Sequence, residues 1–169
     1  VIGRAVSHYL LVHVVEESLS RYRQKAGEDF WVQDLPGWRL IGLNALIAGT
    51  QMSGNDAQLD LLRKASSDRG GRSLAVVLHK PVADLSYDDP TVNARFLTIA
   101  ARRQLLDAIG VAPANLFICG HVHQYRDGLM GGSRHIWGPA ASFIIGDPWQ
   151  PSYGGKMVGY LEHLFHADG

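Results

Sequence analysis

Three histidines hold the chemistry that can be read from this sequence: His79, in Val77-Leu78-His79-Lys80-Pro81, and the pair in Gly120-His121-Val122-His123. In an extended or tightly turned segment His121 and His123 project to the same side, with Val122 between them. Two imidazoles can then approach one metal ion or a close pair of ions. Gly120 ahead of them permits a turn that a β-carbon would obstruct. Imidazole suits Mn, Fe, Ni or Zn, so the donors alone do not name the metal. The chain has eight histidines and a single cysteine, Cys119. One cysteine excludes an intramolecular disulfide framework and a Cys-based zinc site, leaving His, Asp, Glu or Asn as the available ligands.

The surrounding segments place these histidines at strand ends. Residues 73–78 (SLAVVL) have the unbroken apolar character of a strand covered on both faces, and His79 follows directly. Residues 115–119 (NLFIC) form the next such strand and run into Gly120. Ligand sites of open α/β sheets lie outside the carboxyl ends of the strands, where all three histidines fall. Residues 6–25 carry Leu11, Val15, Leu19 and Tyr22 at helical spacing, with Gly27 as a stop. A turn at Pro36-Gly37 precedes a short apolar strand over 38–45. A second helix opens with Asn55 as N-cap and Gln58 at N3, turning Leu59, Leu62 and Ala65 to the core. Residues 95–109 predict a third helix closed by Gly110. Residues 125–129 and 134–137 flank Met130-Gly131-Gly132-Ser133 as a hairpin, and 157–166 read as a final strand. The element order is βαβαβ followed by antiparallel strands, an α/β fold with a mixed sheet flanked by helices.

In order, spacing and strand context, the strand-end His79 and the Gly120-His121-Val122-His123 turn resemble the later motifs of the calcineurin-like metallophosphoesterases. Gly37-Trp38-Arg39-Leu40-Ile41-Gly42-Leu43-Asn44 is similar to the preceding strand in the cyclic-nucleotide-phosphodiesterase-like branch. Residues 58–62 are similar to the helix after it, and Gly155-Lys156-Met157-Val158-Gly159-Tyr160 to its C-terminal strand. The resemblance spans most of residues 21–166. It implies the C-terminal half of an αββα sandwich and two divalent ions (Mn, Fe, Zn or Ni), His79 and His121 on one and His123 on the other. It also implies hydrolysis of a phosphodiester or phosphomonoester by a hydroxide bridging the metals. The family's earlier motifs, Asp-x-His, Gly-Asp-x-x-Asp and Gly-Asn-His-Asp/Glu, do not occur. Gly54-Asn55-Asp56 lacks the His and is explained by helix capping, and Gly146-Asp147-Pro148 lacks the distal Asp. Residues 1–169 are therefore expected to be one domain, the C-terminal portion of a metallophosphoesterase domain whose N-terminal portion is absent. No carboxylate is placed to bridge two ions, so the isolated chain is expected to be inactive. The alternatives are a catalytically inactive metallophosphoesterase-like binding module and a structural single-metal site of three histidines.

Composition fits an ordinary globular domain: 46% hydrophobic and 19% charged residues, with sixteen Lys plus Arg balancing sixteen Asp plus Glu. That balance gives no electrostatic case for nucleic acid or an anionic membrane, no run is long enough to span a bilayer, and the expected location is the cytoplasm. His8 and His13 do not share a helix face. His135, His163 and His166 read as exposed residues of alternating strands, Cys119 as a buried structural thiol. Asp88-Asp89, Asp127 and Asp147 read as solvated turn residues. Leu40, Leu43, Val76, Leu78 and Phe117 are too apolar for a solvated face. A chain lacking its partner sheet is expected to expose them, and to self-associate or to bind a polypeptide carrying the missing half.

Overall fold

The computed structural model describes residues 14–169, so His8, His13 and residues 6–13 of the expected N-terminal helix lie outside the described residues. In chain order the elements are α1 (Glu16–Ala26), β1 (Trp31–Leu35), β2 (Trp38–Leu43), α2 (Asn55–Ser67), β3 (Ser73–Leu78), α3 (Ile99–Ile109), β4 (Leu116–Cys119), β5 (Arg126–Met130) and β6 (Ser133–Trp137). The strands form one six-stranded sheet in the order β1-β2-β3-β4-β6-β5. β2, β3, β4 and β6 run parallel, and β1 and β5 pair antiparallel at the two edges. The fold is mixed α/β, a partial α/β sandwich with helices flanking the sheet, as the sequence predicts.

Each edge strand belongs to a hairpin closed by a turn its residues demand. Gly131 and Gly132 have φ of 57° and 82°, the double positive φ of the two-residue turn that best matches strand twist. Strand β1 was not foreseen, because Gln33 and Asp34 break its apolar character. A bidentate ion pair nonetheless fixes its register: Arg39 Nε and Nη2 meet Asp34 Oδ1 and Oδ2 at 2.6 and 2.7 Å, across the Asp34–Arg39 pair of the ladder.

Alternation in the central strands divides the core. Ile41, Leu43, Leu74, Val76, Leu78, Phe117, Cys119 and Trp137 cluster with Leu62 and Ala65 of α2 and Leu105, Ala108 and Ile109 of α3. Leu43, Val76, Leu78 and Phe117 are thus buried. This corrects the expectation that they form exposed strand surface, since the two crossover helices already cover their face. On the opposite face Ala75, Leu116 and Ile136 pack with Trp38, Leu40, Ile118, Leu161 and Phe165. The large apolar side chains left exposed include Phe143, Ile144, Trp149, Tyr160 and Leu164, in the segment after the sheet.

Residues 157–166 are not a strand. Their inward–outward alternation is real: 159, 161, 163 and 165 are half-buried and 160, 162, 164 and 166 exposed. The chain lies extended across the sheet face, with Phe165 edge-on to Trp38 at 5.2 Å. It makes no ladder beyond an isolated bridge between Ala140 and Val158. Alternation reports a half-buried extended chain, and only edge-to-edge pairing makes it a strand. Among the described residues no helix is long and apolar enough to cross a membrane.

Asn55 is not the cap of α2. Gly54 takes that position with φ of 93°, and Asn55 turns inward, where its Nδ2 donates to the Thr50 carbonyl at 3.1 Å. Gln58, 2% exposed, accepts from the Asn44 amide at 3.1 Å and donates to Asn55 Oδ1 at 3.3 Å. Asn44 in turn donates to Asp29, which holds Arg23 of α1. Gln58→Leu would leave the Asn44 amide buried without its acceptor, at a cost of about 1–3 kcal/mol. A urea titration should show the midpoint falling with an unchanged slope, and an unshifted midpoint would mean that water replaces the lost acceptor.

Candidate functional site

Parallel pairing brings the three histidines to one edge. Leu78 is in register with Cys119, and Cys119 with Trp137, so β3, β4 and β6 end side by side. Two backbone bonds extend the ladder past the strands: the Gly120 amide donates to the His79 carbonyl at 3.0 Å, and the Gly138 amide to the Cys119 carbonyl at 2.8 Å. His79 and the Gly120-His121-Val122-His123 turn are thereby tethered to each other.

The turn is strained in a particular way. His121 and His123 have φ of 63° and 59°, the only non-glycine residues with positive φ among those described. Left-handed backbone at a residue with a β-carbon costs roughly 1–2 kcal/mol. Two features hold it: the Val122 amide donates to the Gly120 carbonyl at 2.7 Å, and the Val122 side chain is fully buried. With Val122 anchored inward, the flanking imidazoles are turned to the cleft.

His121 Nδ1 lies 3.0 Å from His79 Nε2, the rings meeting edge to face with centroids 4.7 Å apart. His123 borders the same cleft, of about 460 Å³, whose walls include Val77, Ile118, Pro139 and Phe143. Phe143, 52% exposed, meets the His123 ring edge-on at 5.0 Å. The structure thus brings His79, His121 and His123 together, as their strand-end positions predict.

The donor set can be tested against a metal on distance alone. Two imidazole nitrogens bound to one ion at about 2.1 Å, at angles between a right angle and tetrahedral, stand roughly 3.0–3.4 Å apart. The His79–His121 separation falls in that window and is equally that of a hydrogen bond between the two ring nitrogens. Among the described residues no group of three or more His, Cys, Asp or Glu is arranged to hold a metal. The described residues alone therefore form no metal site.

Of the other candidates among the described residues, Cys119 borders this cleft and the rest lie outside it. His135 is buried, correcting its expected exposure: β6 is an interior strand, and its inward face carries His135 and Trp137. The His135 ring stacks on Phe117 at 4.6 Å, and its Nε2 is 2.8 Å from the Tyr87 hydroxyl. Burial, aided by the Arg126 charge, pushes its pKa down to about 4. His163 is half-buried and His166 exposed. Cys119 is buried, and burial raises its thiol pKa. Asp127 is held by Arg134 at 2.9 and 2.6 Å, and hydrogen bonding to that guanidinium lowers its pKa. Asp147 is paired with Lys156 at 2.6 Å. Asp89 accepts from the Thr91 amide at 2.9 Å, as a turn residue does. Sequence reading missed Phe143 and the buried glutamines Gln124 and Gln150, which fall in loops where no periodicity marks burial.

No family model and no curated protein sequence matches the chain. Among solved structures, it is similar to a candidate 5′-nucleotidase from Staphylococcus aureus, crystallised with alpha-ketoglutarate: 12% identity, TM-score 0.41, over 68% of this chain and 24% of that one. It is also similar to GAP50, the anchor in the inner membrane complex of Plasmodium: 15% identity, TM-score 0.47, over 77% of this chain and 40% of that one. The chain therefore spans well under half the length of either neighbour. Both likenesses are too remote to bear on activity.

Proposed function

We propose that this chain supplies part of a binuclear metal centre that hydrolyses a phosphate ester, a phosphodiester or a phosphomonoester. The observation that carries the reading is the meeting of His79 Nε2 and His121 Nδ1 at 3.0 Å at the ends of adjacent parallel strands. The resemblance of the Gly-His-x-His turn and strand-end His to metallophosphoesterase motifs supports it. His79 and His121 would hold one divalent ion and His123 the other. Paired ions, when bound, acidify water and clamp the phosphoryl oxygens. The chain's own residues contribute orientation: the His79–Gly120 backbone bond sets the distance between the two ligand segments, and buried Val122 aims the imidazoles outward. Phe143 shields one side of His123 from water. The reading assigns the bridging carboxylate to residues outside those described here.

Titration with Mn and Zn is the direct test. The wild-type chain should take up metal weakly, and His121→Ala should lower that affinity at least tenfold. Hydrolysis of bis(p-nitrophenyl) phosphate should be negligible in the chain as it stands and appear when an upstream segment bearing the missing carboxylates is joined to it. Metal uptake unaffected by His121→Ala would overturn the assignment. Full turnover by the chain alone would show that its own residues complete the site.

A further inference from the structure

We propose that Gln150 is the positioning residue of the histidine turn, holding His123 in its left-handed conformation by a hydrogen bond to the Val122 carbonyl. The inference rests on the metal-site reading and deepens it. Gln150 is 2% exposed, and its Nε2 donates to the Val122 oxygen at 2.9 Å from a position 28 residues downstream. That carbonyl belongs to the peptide joining Val122 to His123. Its direction is set by ψ of Val122 and φ of His123 together, because the peptide is planar. Rotating this one peptide would let His123 leave its φ of 59° for the commoner negative region while moving little else of the chain. A buried carbonyl must find a donor, and Gln150 supplies it only with the peptide in its present orientation.

The Gln150 backbone is itself firmly seated, while its side-chain Oε1 is buried with no hydrogen-bond partner among the described residues. Gln124, next to His123 and 1% exposed, reaches the other way: its Nε2 donates to the Pro151 carbonyl at 2.9 Å, and its Oε1 accepts from the Tyr153 and Gly154 amides, each at 2.7 Å. Lys156 Nζ donates to the Gln150 carbonyl at 2.6 Å, and the Gln150 amide donates to the Gly146 carbonyl at 3.1 Å. The two glutamines thus cross-link 122–124 with 150–154, and Gln150 is the member whose side chain grips the turn.

Gln150→Met keeps the length and burial of the side chain and removes the donor. In the metal-free protein the imidazole resonances of His123 should shift, those of His135 should not, and far-UV circular dichroism should be unchanged. With metal present, affinity should fall about ten- to a hundredfold, the usual effect of losing a partner that orients a ligand. Gln150→Glu gives a second reading should the methionine variant fail to fold. Its introduced carboxyl can donate when protonated and not when ionised, so the His123 resonances should follow that titration. Unmoved His123 resonances in a folded Gln150→Met, or no dependence on the introduced carboxyl in Gln150→Glu, overturns the proposal. If the wild type takes up no metal but His123 still shifts, the positioning role stands and the metal-site reading falls.

Discussion

Trp137→Ala is expected to lower stability by about 3–5 kcal/mol, the largest effect of any single substitution in this core. Trp137 is fully buried at the end of β6. Its ring centroid lies 5.7 Å from that of Phe96, and the Arg126 guanidinium sits over it at 4.7 Å. Arg126 is held from the other side by Asp84 at 2.8 Å, so the deletion would empty a large volume and also strip a fixed cation of its aromatic partner. The indole Nε1 has no hydrogen-bond partner among the described residues. Trp137→Phe should therefore cost far less than the alanine variant, since it forfeits volume but no hydrogen bond. Urea titrations of both variants check this, and an alanine variant within about 1 kcal/mol of wild type would mean that the surrounding core collapses to fill the space.

The second large effect is a loss of stability on mild acidification, traced to His135. Its folded pKa is about 4, well below the ~6.5 of an unperturbed histidine. Below about pH 6.5 the unfolded chain takes up a proton that the folded chain refuses until about pH 4. Stability from this residue is thus fully present above 6.5 and lost as pH falls toward 4. The total is on the order of 3 kcal/mol. His135→Phe should flatten the stability curve across that window, whatever it does to stability at pH 7. Identical slopes in wild type and variant between pH 6.5 and 4 would place the acid sensitivity elsewhere, for instance at half-buried His163, whose pKa burial also lowers.

The parallel centre of the fold and its site edge were legible because fully covered strands leave an unbroken signal. The run 73–78 (SLAVVL) and the run 115–119 are followed closely by histidines, and strand register then brings those histidines to the same edge. The glycine pair at 131–132 fixed the hairpin by the same kind of local necessity. What escaped was set by distant packing. His135 looks exposed by alternation until β6 is known to be interior. Residues 157–166 alternate as a strand would, yet form no ladder beyond the isolated bridge at Val158. Gln58 and Gln150 look like surface polar residues, and only their partners, Asn44 and Val122, explain why they are buried. The cap of α2 lies one residue earlier than the sequence suggests, because Gly54 takes the left-handed conformation there and the Asn55 side chain turns inward.

The left-handed pair at 121 and 123 carries a consequence for anyone stabilising this protein. Glycine is the residue the backbone there prefers, and replacing either histidine by it would relieve strain of about 1 kcal/mol or more. Selection of variants by heat resistance alone would therefore drift toward glycine at these two positions. The tougher protein so obtained would have discarded the imidazoles, and a melting temperature would record the loss as an improvement.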